Sequence, residues 1–366
     1  MDREISNRSN HKLHIVGAVG LPPDYGGWET LTSNLVKDLN QEFDITVYCS
    51  SRHYKSRTHS YHSAKLIYIP LRANGWQSPL YDAISMFCAI YKKADTILVL
   101  GVSGCIFIPI IKLLTKAKII VNVDGIEWKR NKWGYFSKYF LRISEFFAAK
   151  YSTELVGDNI EIVRYLKREY GKQSNFIAFG GSSRDGLDEN LLKTLRNEKF
   201  ALNISRIEPE NNIHVILEAC QRTCTHIYIF GRWKANNYAK SLYKEFSQNE
   251  FCHLHEHVSS QEILNSFRKK AFLYIHGHSV GGTNPSLVEA MSWGIPIVAF
   301  DVIFNKESTF NKAIYFDSAN NLADILTSLS KFDLEKISAD MFELHAQNYD
   351  WKIISGKYSD LFKKHN

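Results

Sequence analysis

Short runs of aliphatic and β-branched residues alternate with stretches of helical pattern along the whole chain. In the first half the runs occupy residues 13–19, 45–49, 66–70, 96–100 and 119–123. Strands that alternate with helices are typical of a parallel sheet with helices on both of its faces. The alternation therefore predicts an α/β fold built from doubly wound, Rossmann-like domains.

The second half repeats this pattern. Residues 200–204 and 227–230 read as strands, and residues 272–275 begin a strand, loop, helix and strand unit that ends at residue 300. Its helix is predicted at residues 285–293. A second parallel sheet is thus expected.

The length of 366 residues is natural for two domains. The tract at residues 180–199 is polar and contains Gly and Ser, which predicts the interdomain linker there. We expect one domain at residues 1–183 and the other at residues 184–350.

Composition indicates a globular protein, with 45% hydrophobic and 23% charged residues. The longest apolar run, residues 97–111, is interrupted by Gly and Pro and is shorter than the roughly 20 residues that span a bilayer. The polar start lacks the apolar core of a secretory signal, so a cytoplasmic location is expected. Six cysteines without paired or zinc-type spacing predict reduced thiols, no disulfide and no metal.

The net charge of +7 is concentrated in one half. Residues 1–183 carry 24 Lys and Arg against 16 Asp and Glu, whereas residues 184–366 carry 21 against 22. A basic half predicts an anionic partner. Nothing resembles a nucleic-acid-binding module, so we expect the anionic inner surface of the membrane. The cations expected to meet it are Lys129, Arg130, Lys132, Lys138 and Arg142.

The loop at residues 276–284 is rich in glycine and opens onto the predicted helix. Backbone N–H groups at a helix N-terminus bind anions, so a phosphate or diphosphate fits there. Glu289 lies one turn beyond Pro285, near enough to accept hydrogen bonds from hydroxyl groups of the same ligand, and we expect it to face that ligand and not to pack in a core. A sugar nucleotide has both groups; the alternative is an ordinary Gly-rich connection.

Two segments of the first half follow predicted strands, at the edge where open α/β sheets bind ligands. Residues 20–27 contain two prolines and a Gly pair, and Tyr25, Gly26 and Gly27 are the candidate ligand contacts; a turn without a ligand is the alternative.

The second segment is residues 124–133. Asp124 and Glu127 are its candidate catalytic carboxylates, with Lys129 and Arg130 next to them on the acceptor side. The alternative is a solvated polar loop.

A helix is predicted at Tyr135–Tyr151, with large apolar residues at helical spacing. We interpret most of this stripe as a buried face, the alternative being contact with lipid headgroups. The residues are Phe136, Tyr139, Phe140, Ile143, Phe146 and Phe147, interleaved with Lys138, Arg142 and Lys150.

Five motifs occur in order along nearly the whole chain: GLPPDYGGWE, VNVDGIEWKRNKW, FIAFGG, SRIEPENN and HGHSVGGTNPSLVEAM. Together they resemble the rhamnosyltransferase-type branch of the bacterial family-4 retaining glycosyltransferases, which builds capsule and O-antigen repeat units. The resemblance implies the GT-B fold, with two Rossmann-like domains facing a central cleft. It also implies that the last helix, residues 351–366, crosses back to the N-terminal domain.

The resemblance also implies roles for the donor-side residues. Glu289 is the second Glu of the family motif and would hold the nucleotide ribose, whereas the first Glu falls at Gly281. Arg206 would bind the donor diphosphate, and the Lys five residues later is replaced by Asn211. The remaining donor-side candidates are Arg232, His278, Gly281, Gly282, Thr283 and Asn284, with Lys234 near Arg232.

The expected function is that of a peripheral membrane glycosyltransferase that transfers a deoxyhexose, L-rhamnose from dTDP-rhamnose, to a lipid-diphosphate-linked saccharide. No cofactor or metal is expected, because Arg and helix amides neutralise the diphosphate. One alternative is a UDP- or GDP-hexose donor on the same fold. The other is a sugar-binding protein with two lobes and no catalytic activity.

Overall fold

A computed structural model describes residues 11–24, 26–129, 133–181, 184, 186–195 and 199–364. The chain divides into two compact units, each an α/β domain around a parallel sheet. The N-terminal unit is Met1–Ala178 with Trp351–Asn366, and the C-terminal unit is Phe179–Asp350. The predicted α/β class with two Rossmann-like domains is confirmed.

The N-terminal unit has an eight-stranded sheet in the order β3-β4-β2-β1-β5-β6-β7-β8. Every pair is parallel except β3 with β4. The strands are β1 (Lys12–Val16), β2 (Asp44–Ser50), β3 (Ser60–Tyr61), β4 (Ala64–Ile69), β5 (Thr96–Leu100), β6 (Lys118–Asn122), β7 (Glu154–Gly157) and β8 (Asn175–Phe176).

Helices cover both faces of this sheet. The helices of the unit are α1 (Gly27–Leu39), α2 (Ser78–Tyr91), α3 (Ile108–Leu114), α4 (Tyr135–Tyr151), α5 (Ile160–Tyr170) and, from the end of the chain, α14 (Trp351–Lys363). Right-handed crossovers place α2 to α5 on one face, where consecutive helices pack together, and α1 on the other face.

The last helix, α14, packs against α1 in the N-terminal unit. The buried Lys118 donates hydrogen bonds from Nζ to the carbonyls of Leu361 and Lys364, both at 2.7 Å. Asn122 donates to the hydroxyl of Tyr358 at 2.7 Å. Because the last carbonyls of a helix lack partners within the helix, Lys118 acts as a side-chain cap that ties α14 to β6.

The C-terminal unit has a six-stranded, all-parallel sheet in the order β11-β10-β9-β12-β13-β14. The strands are β9 (Ala201–Ile204), β10 (Ile227–Gly231), β11 (Cys252–Glu256), β12 (Leu273–His276), β13 (Ile297–Phe300) and β14 (Ile314–Phe316). The helices are α6 (Glu189–Thr194), α7 (Ile213–Arg222), α8 (Asn237–Phe246), α9 (Gln261–Lys270), α10 (Pro285–Ser292), α11 (Ile303–Ser308), α12 (Ala319–Thr327) and α13 (Leu334–Asn348).

The tract predicted to be a linker contains helix α6. Asp188 caps the helix by accepting hydrogen bonds from two backbone N–H groups, and Leu192 is buried. The helix packs against α9. Two buried leucines, Leu192 and Leu195, in a polar tract are a weak sequence signal, which explains why the pattern did not predict a helix there.

The prediction that the aromatic stripe of α4 is mostly buried is wrong. Phe136 is 86% exposed and Tyr139 is 63% exposed. The side of α4 that faces the unit is formed instead by small residues and one leucine: Leu141, Ser144, Ala148 and Ala149. Because these small side chains let the helix approach its neighbours closely, the aromatic residues are left on the outside. None of the helices in the described part of the chain has the length and apolarity needed to cross a bilayer.

Replacing Lys118 tests the role of α14. Lys118→Met leaves the carbonyls of Leu361 and Lys364 without their donor, and we expect a loss of roughly 1–3 kcal/mol of stability. The measurement is hydrogen exchange of the α14 backbone amides, which should become faster. Lys116→Met, an exposed position two residues earlier, is the matched control and should leave α14 protected. Equal protection of α14 in both variants would show that the cap contributes nothing.

Candidate functional site

The C-terminal unit has one point in its sheet where the direction of the chain reverses. From β9 the chain continues to β10 and β11 on one side, and from β12 it continues to β13 and β14 on the other. Since β9 and β12 are neighbours, the loops that follow them, residues 205–212 and 277–284, meet at this switch point. Open α/β sheets bind ligands at such a point. We call these two loops the donor loops.

Hydrogen bonds join the donor loops directly. Ser279 donates from both its backbone N–H and its Oγ to the carbonyl of Glu210, at 2.9 and 2.8 Å. Asn212 donates from Nδ2 to the carbonyl of Gly277 at 2.9 Å. A Cβ atom on Gly277 would lie 2.1 Å from the carbonyl oxygen of Asn211, so only glycine permits this approach. These hydrogen bonds therefore hold the two donor loops together at the carboxyl edge of the sheet.

Asn211 stands where the resembling family has a lysine, and its amide has a structural role. The side chain is fully buried and donates from Nδ2 to the carbonyl of Arg206 at 2.6 Å. It thereby holds the backbone of the first donor loop in shape. A buried amide that fixes a loop offers a ligand no positive charge, so phosphate charge must be met by other groups.

The two candidate donor-side arginines lie on this edge. Arg206 follows β9, and its guanidinium lies 3.7 Å from a carboxylate oxygen of Glu208. Its side chain is 39% exposed and therefore within reach of a ligand. Arg232 follows the neighbouring strand β10 and is also exposed. Both cations lie at the carboxyl ends of adjacent strands.

The second donor loop ends at the N-terminus of α10. Asn284 caps this helix, because its Oδ1 accepts hydrogen bonds from the backbone N–H and the hydroxyl of Ser286, at 3.0 and 2.8 Å. Gly281 has φ of 132°, a conformation that other residues rarely adopt, and a Cβ there would meet nothing within 4 Å. The backbone at Gly281 is thus open, whereas Thr283 is buried.

Glu289 on α10 forms an ion pair with Arg268 on α9. Arg268 is 1% exposed, and it also donates to Oδ1 of Asn265 at 2.9 Å. The carboxylate of Glu289 is 13% exposed, so it balances a buried cation and still reaches solvent. Glu289 is partly buried and has a structural ion pair that the sequence analysis did not predict, and its contact with a ligand stays a prediction. Sequence reasoning missed Arg268, which lies within the charged run Arg268, Lys269 and Lys270 that reads as an ordinary helix end.

Two histidines at the end of β12 form a stack. The rings of His276 and His278 are parallel within 4°, with their centroids 4.8 Å apart. His276 is fully buried, and burial lowers its pKa to about 3, so it is neutral at physiological pH. His278 is mostly buried, and its carbonyl accepts a hydrogen bond from Asn305 at 2.8 Å. The two rings form an aromatic stack at the start of the second donor loop.

The N-terminal unit has a switch point of the same kind between β1 and β5. The buried Glu29 on α1 accepts a hydrogen bond from the backbone N–H of Val19 at 2.7 Å, and burial raises the pKa of its carboxyl group. Gly26 is needed here, since it has φ of 144° and a Cβ would lie 2.0 Å from Glu29 Oε2. Gly27 begins α1. Tyr25, the third candidate of this loop, lies outside the described residues.

The two candidate catalytic carboxylates follow β6, the neighbour of β5. Asp124 has φ of 63° and donates from its backbone N–H to Oδ1 of Asn122 at 3.1 Å. Glu127 accepts a hydrogen bond from the indole N–H of Trp133, the last residue of the segment, at 2.9 Å. A positive φ at a non-glycine residue is uncommon and marks a backbone held by its surroundings.

Lys129 lies beside the same segment and faces aromatic rings. Its ammonium is 5.4 Å from the ring centroid of Trp128 and 5.7 Å from that of Tyr165. Arg130 lies outside the described residues. Of the predicted acceptor-side cations, Lys129 is therefore the one that the structure locates, in a cation–π cluster.

Buried carboxylates near these loops carry no sequence signal, because each stands alone in a helix. Glu145 accepts hydrogen bonds from the hydroxyls of Tyr165 and Tyr170, at 2.5 and 2.6 Å, and burial raises its pKa. Asp82 accepts from Ser103 Oγ at 2.5 Å, and burial raises its pKa to about 7. Asp82 thus contacts the loop that follows β5, and Glu145 contacts helix α5.

Two family models match the chain, one in each half. Residues 10–182 match the family described as Domain of unknown function (DUF1972). Residues 163–332, which include both donor loops and α10, match the family described as Glycosyl transferases group 1.

Solved structures with the GT-B fold are similar over nearly the whole chain. Sucrose-phosphate synthase of Thermosynechococcus elongatus has 13% identity and a TM-score of 0.78, covering 97% of this chain and 98% of its own. The catalytic domain of starch synthase IV from Arabidopsis thaliana, bound to ADP and acarbose, has 14% identity and a TM-score of 0.72, with 97% and 99% covered. Anabaena HepE in complex with UDP-glucose has 12% identity and a TM-score of 0.71, with 96% and 98% covered.

No curated protein matches the chain. At these identities the solved structures show the fold alone, which is GT-B, and the group 1 match supports a glycosyltransferase of that fold.

The pairing of Arg268 with Glu289 generates a prediction about stability. Arg268→Met leaves a partly buried carboxylate without its cation, and breaking a buried pair costs roughly 3–5 kcal/mol. The double variant Arg268→Met with Glu289→Gln removes both charges and should regain most of that loss. The measurement is thermal unfolding of the two single variants and the double variant. If the stability loss of the double variant equals the sum of the losses of the two single variants, the two charges do not depend on each other.

Proposed function

We propose that this protein is a retaining glycosyltransferase that transfers a deoxyhexose, L-rhamnose from dTDP-rhamnose, to a lipid-diphosphate-linked saccharide. The product would be a repeat unit of a cell-surface polysaccharide such as an O-antigen or a capsule. The observation that carries the proposal is the site at the switch point of the C-terminal sheet. There, an open glycine backbone, a helix N-terminus and the Glu289 carboxylate lie within one group 1 domain.

The donor diphosphate would bind at the start of α10. Backbone amides of Gly281, Gly282, Thr283 and Asn284 offer N–H groups at a positive helix end. Arg206, whose partner Glu208 lies 3.7 Å away, can turn its planar guanidinium toward two phosphate oxygens at once. Arg232 would add a second cation from the neighbouring strand.

The nucleotide ribose would bind to Glu289. Since Arg268 holds one side of this carboxylate from within the unit, the remaining lone pairs can accept hydrogen bonds from two adjacent hydroxyls. His278 would lie beside the sugar, in the stack that it forms with His276. The position of the family's first Glu is Gly281, so this chain would recognise the donor hexose through other groups.

The chemical step would be a front-face displacement with retention at the anomeric carbon. The acceptor hydroxyl forms the new C–O bond as the bond to the diphosphate breaks, and the hydroxyl proton leaves with the departing phosphate. Preorganised N–H groups and arginine cations stabilise the charge that develops on that phosphate, which is an electrostatic form of catalysis. No metal ion or cofactor is part of this proposal.

The acceptor would bind to the N-terminal unit. Gly26 and Gly27 at the start of α1, together with Asp124, Glu127 and Lys129 after β6, are the proposed contacts. We place the enzyme on the cytoplasmic face of the inner membrane, because a lipid-linked acceptor lies there and the N-terminal half is basic.

A UDP-hexose donor is the second candidate, since a similar structure is that of a complex with UDP-glucose. A panel of dTDP-, UDP- and GDP-sugars, read by thermal shift, separates the two, because the true donor stabilises the protein most. Hydrolysis of that donor without acceptor would separate an enzyme from a sugar-binding protein. Stabilisation by a free sugar alone, without any effect of nucleotides, would contradict the proposal.

Arg206→Ala should weaken binding of the nucleoside diphosphate. The loss of a charge-assisted hydrogen bond costs roughly 1.5–3 kcal/mol of binding free energy, measured by calorimetry. Arg222→Ala is the matched control, because Arg222 is an exposed arginine paired with Glu218 on α7 and lies away from the donor loops. Unchanged affinity in Arg206→Ala would remove Arg206 from the site.

Glu289→Ala should abolish transfer, but it also leaves the buried Arg268 without the carboxylate of its ion pair. The double variant Arg268→Met with Glu289→Gln is therefore the sharper test, since its fold should be retained while its ribose contact is altered. We expect this variant to bind a nucleoside diphosphate clearly more weakly than the wild type. Normal affinity in a stable double variant would show that Glu289 serves the fold alone.

A further inference from the structure

Most of the large hydrophobic side chains that are exposed in the described chain lie on three adjacent helices. Of the fifteen large hydrophobic side chains that are exposed among the described residues, eleven belong to α2, α3, α4 or the turn before α2. We call the outward side of these three helices the outer helical face. Its exposed members are Trp76, Leu80, Phe87, Tyr91, Ile110, Leu113, Leu114, Tyr135, Phe136, Tyr139 and Phe146.

Because of their helical spacing, these residues form one stripe along α2 and another along α4. On α2, Leu80, Phe87 and Tyr91 are seven and four residues apart, so they share one side of the helix. On α4, Phe136, Tyr139 and Phe146 are three and seven residues apart, so they also share one side of their helix. The short α3 packs against both α2 and α4, and its exposed residues lie in the same layer.

Several of these side chains are almost fully exposed to solvent. Tyr91, Leu113 and Phe136 are each 86% exposed. Scattered apolar residues on a surface need no explanation, but a contiguous patch of this kind marks an interaction site. Core packing does not account for it, because the opposite side of α4 already supplies the buried contacts.

The charges of the outer helical face have one sign. The acidic residues within α2, α3 and α4 are Asp82 and Glu145, and each is 1% exposed. The cations of the same helices are not buried: Lys112, Lys138, Arg142 and Lys150. Lys92, Lys93 and Lys116 follow α2 and α3 directly and are exposed as well. The face therefore combines bulky apolar groups with positive charge and presents no carboxylate of its own helices.

Cations interleaved with apolar residues favour a lipid surface over a protein partner. The core of a protein interface is depleted of lysine, because a desolvated ammonium needs a partner in a fixed position. At a bilayer surface, lysine and arginine reach phosphate groups while aromatic and aliphatic side chains enter the headgroup boundary. We propose that the outer helical face binds the surface of an anionic bilayer.

This inference deepens the proposed function and rests on it for the identity of the membrane, because a lipid-diphosphate-linked acceptor would lie in the same bilayer. It also changes which cations are expected to meet the lipid. Lys138 belongs to the face, whereas Lys129 packs over the rings of Trp128 and Tyr165 after β6. Arg142 is exposed on α4, and its guanidinium lies 5.1 Å from the centroid of the same Trp128 ring. Arg130 and Lys132 lie outside the described residues.

Vesicle flotation tests the inference with the full chain and no nucleotide or acceptor. The probes are vesicles of phosphatidylcholine mixed with phosphatidylglycerol, and vesicles of phosphatidylcholine alone. The wild type should bind the anionic vesicles at low salt and bind them less as salt rises, because exposed charges are screened over about 10 Å at 0.1 M salt. The variant Leu113→Ser with Phe136→Ser should bind roughly tenfold or more weakly. The variant Lys138→Gln with Lys150→Gln should lose about fivefold for each cation.

Matched controls lie in the C-terminal unit. Tyr243→Ser with Phe310→Ser removes two exposed rings elsewhere, and Lys240→Gln with Lys244→Gln removes two exposed cations on α8. Both controls should bind vesicles as the wild type does. All variants should keep the wild-type melting temperature and nucleotide affinity, since none of the changed side chains is buried.

Three results would overturn the inference. One is a wild type that ignores anionic vesicles at low salt. Another is a loss of binding that is as large in the controls as in the face variants. The third is a wild-type dimer that does not bind vesicles and that the face variants dissociate, which would show that a second copy covers the face. None of these results depends on glycosyl transfer, so failure here leaves the donor-binding tests of the proposed function intact.

Discussion

A parallel sheet must be covered on both faces, and this constraint organises each unit of the protein. All strand pairs except β3 with β4 are parallel, so helices return the chain over one face or the other. In the N-terminal unit α2 to α5 form one layer, and α14 packs against α1 after the chain has traversed the C-terminal unit. Lys118 secures this last helix by reaching its terminal carbonyls. Because the sheet faces are used for packing, the carboxyl edges of the strands are left for ligands.

The donor edge illustrates how one residue can serve both packing and binding. Glu289 neutralises the buried Arg268 and still reaches solvent at the start of the site. A carboxylate with a single role could be replaced without cost to the fold, but here its removal leaves an arginine with 1% exposure unpaired. The proposed ligand contact of Glu289 would therefore be coupled to stability, and the variants that separate the two must remove both charges together.

The outer helical face follows from the same packing constraint. The side of α4 that packs inward is formed by Leu141, Ser144, Ala148 and Ala149, so its aromatic residues are not needed in the core. A helical stripe of large apolar residues indicates which residues share a side, and it does not say what that side contacts. In α4 it points to solvent, next to cations and away from the buried carboxylate of Glu145. This combination is the basis of our proposal that the outer helical face binds an anionic bilayer.

The sequence by itself determined the fold class and the positions of its main elements, because strand and helix periodicities are local properties of the chain. The bounds of β5 and α4 were predicted to the residue. The Gly-rich loop before α10 was also located from the sequence, and its binding of an anion stays a prediction. Only the tertiary structure decided what contacts what. The edge strand β11, with the sequence CHLHE, has no apolar run to predict it and forms by pairing with β10. Arg268 and Glu289 are 21 residues apart, and no periodicity relates them. Asn211 replaces a cation with a buried amide, whose role depends on the loop folded around it. Contacts between distant segments depend on how the sheet orders its strands, and local pattern does not encode that order.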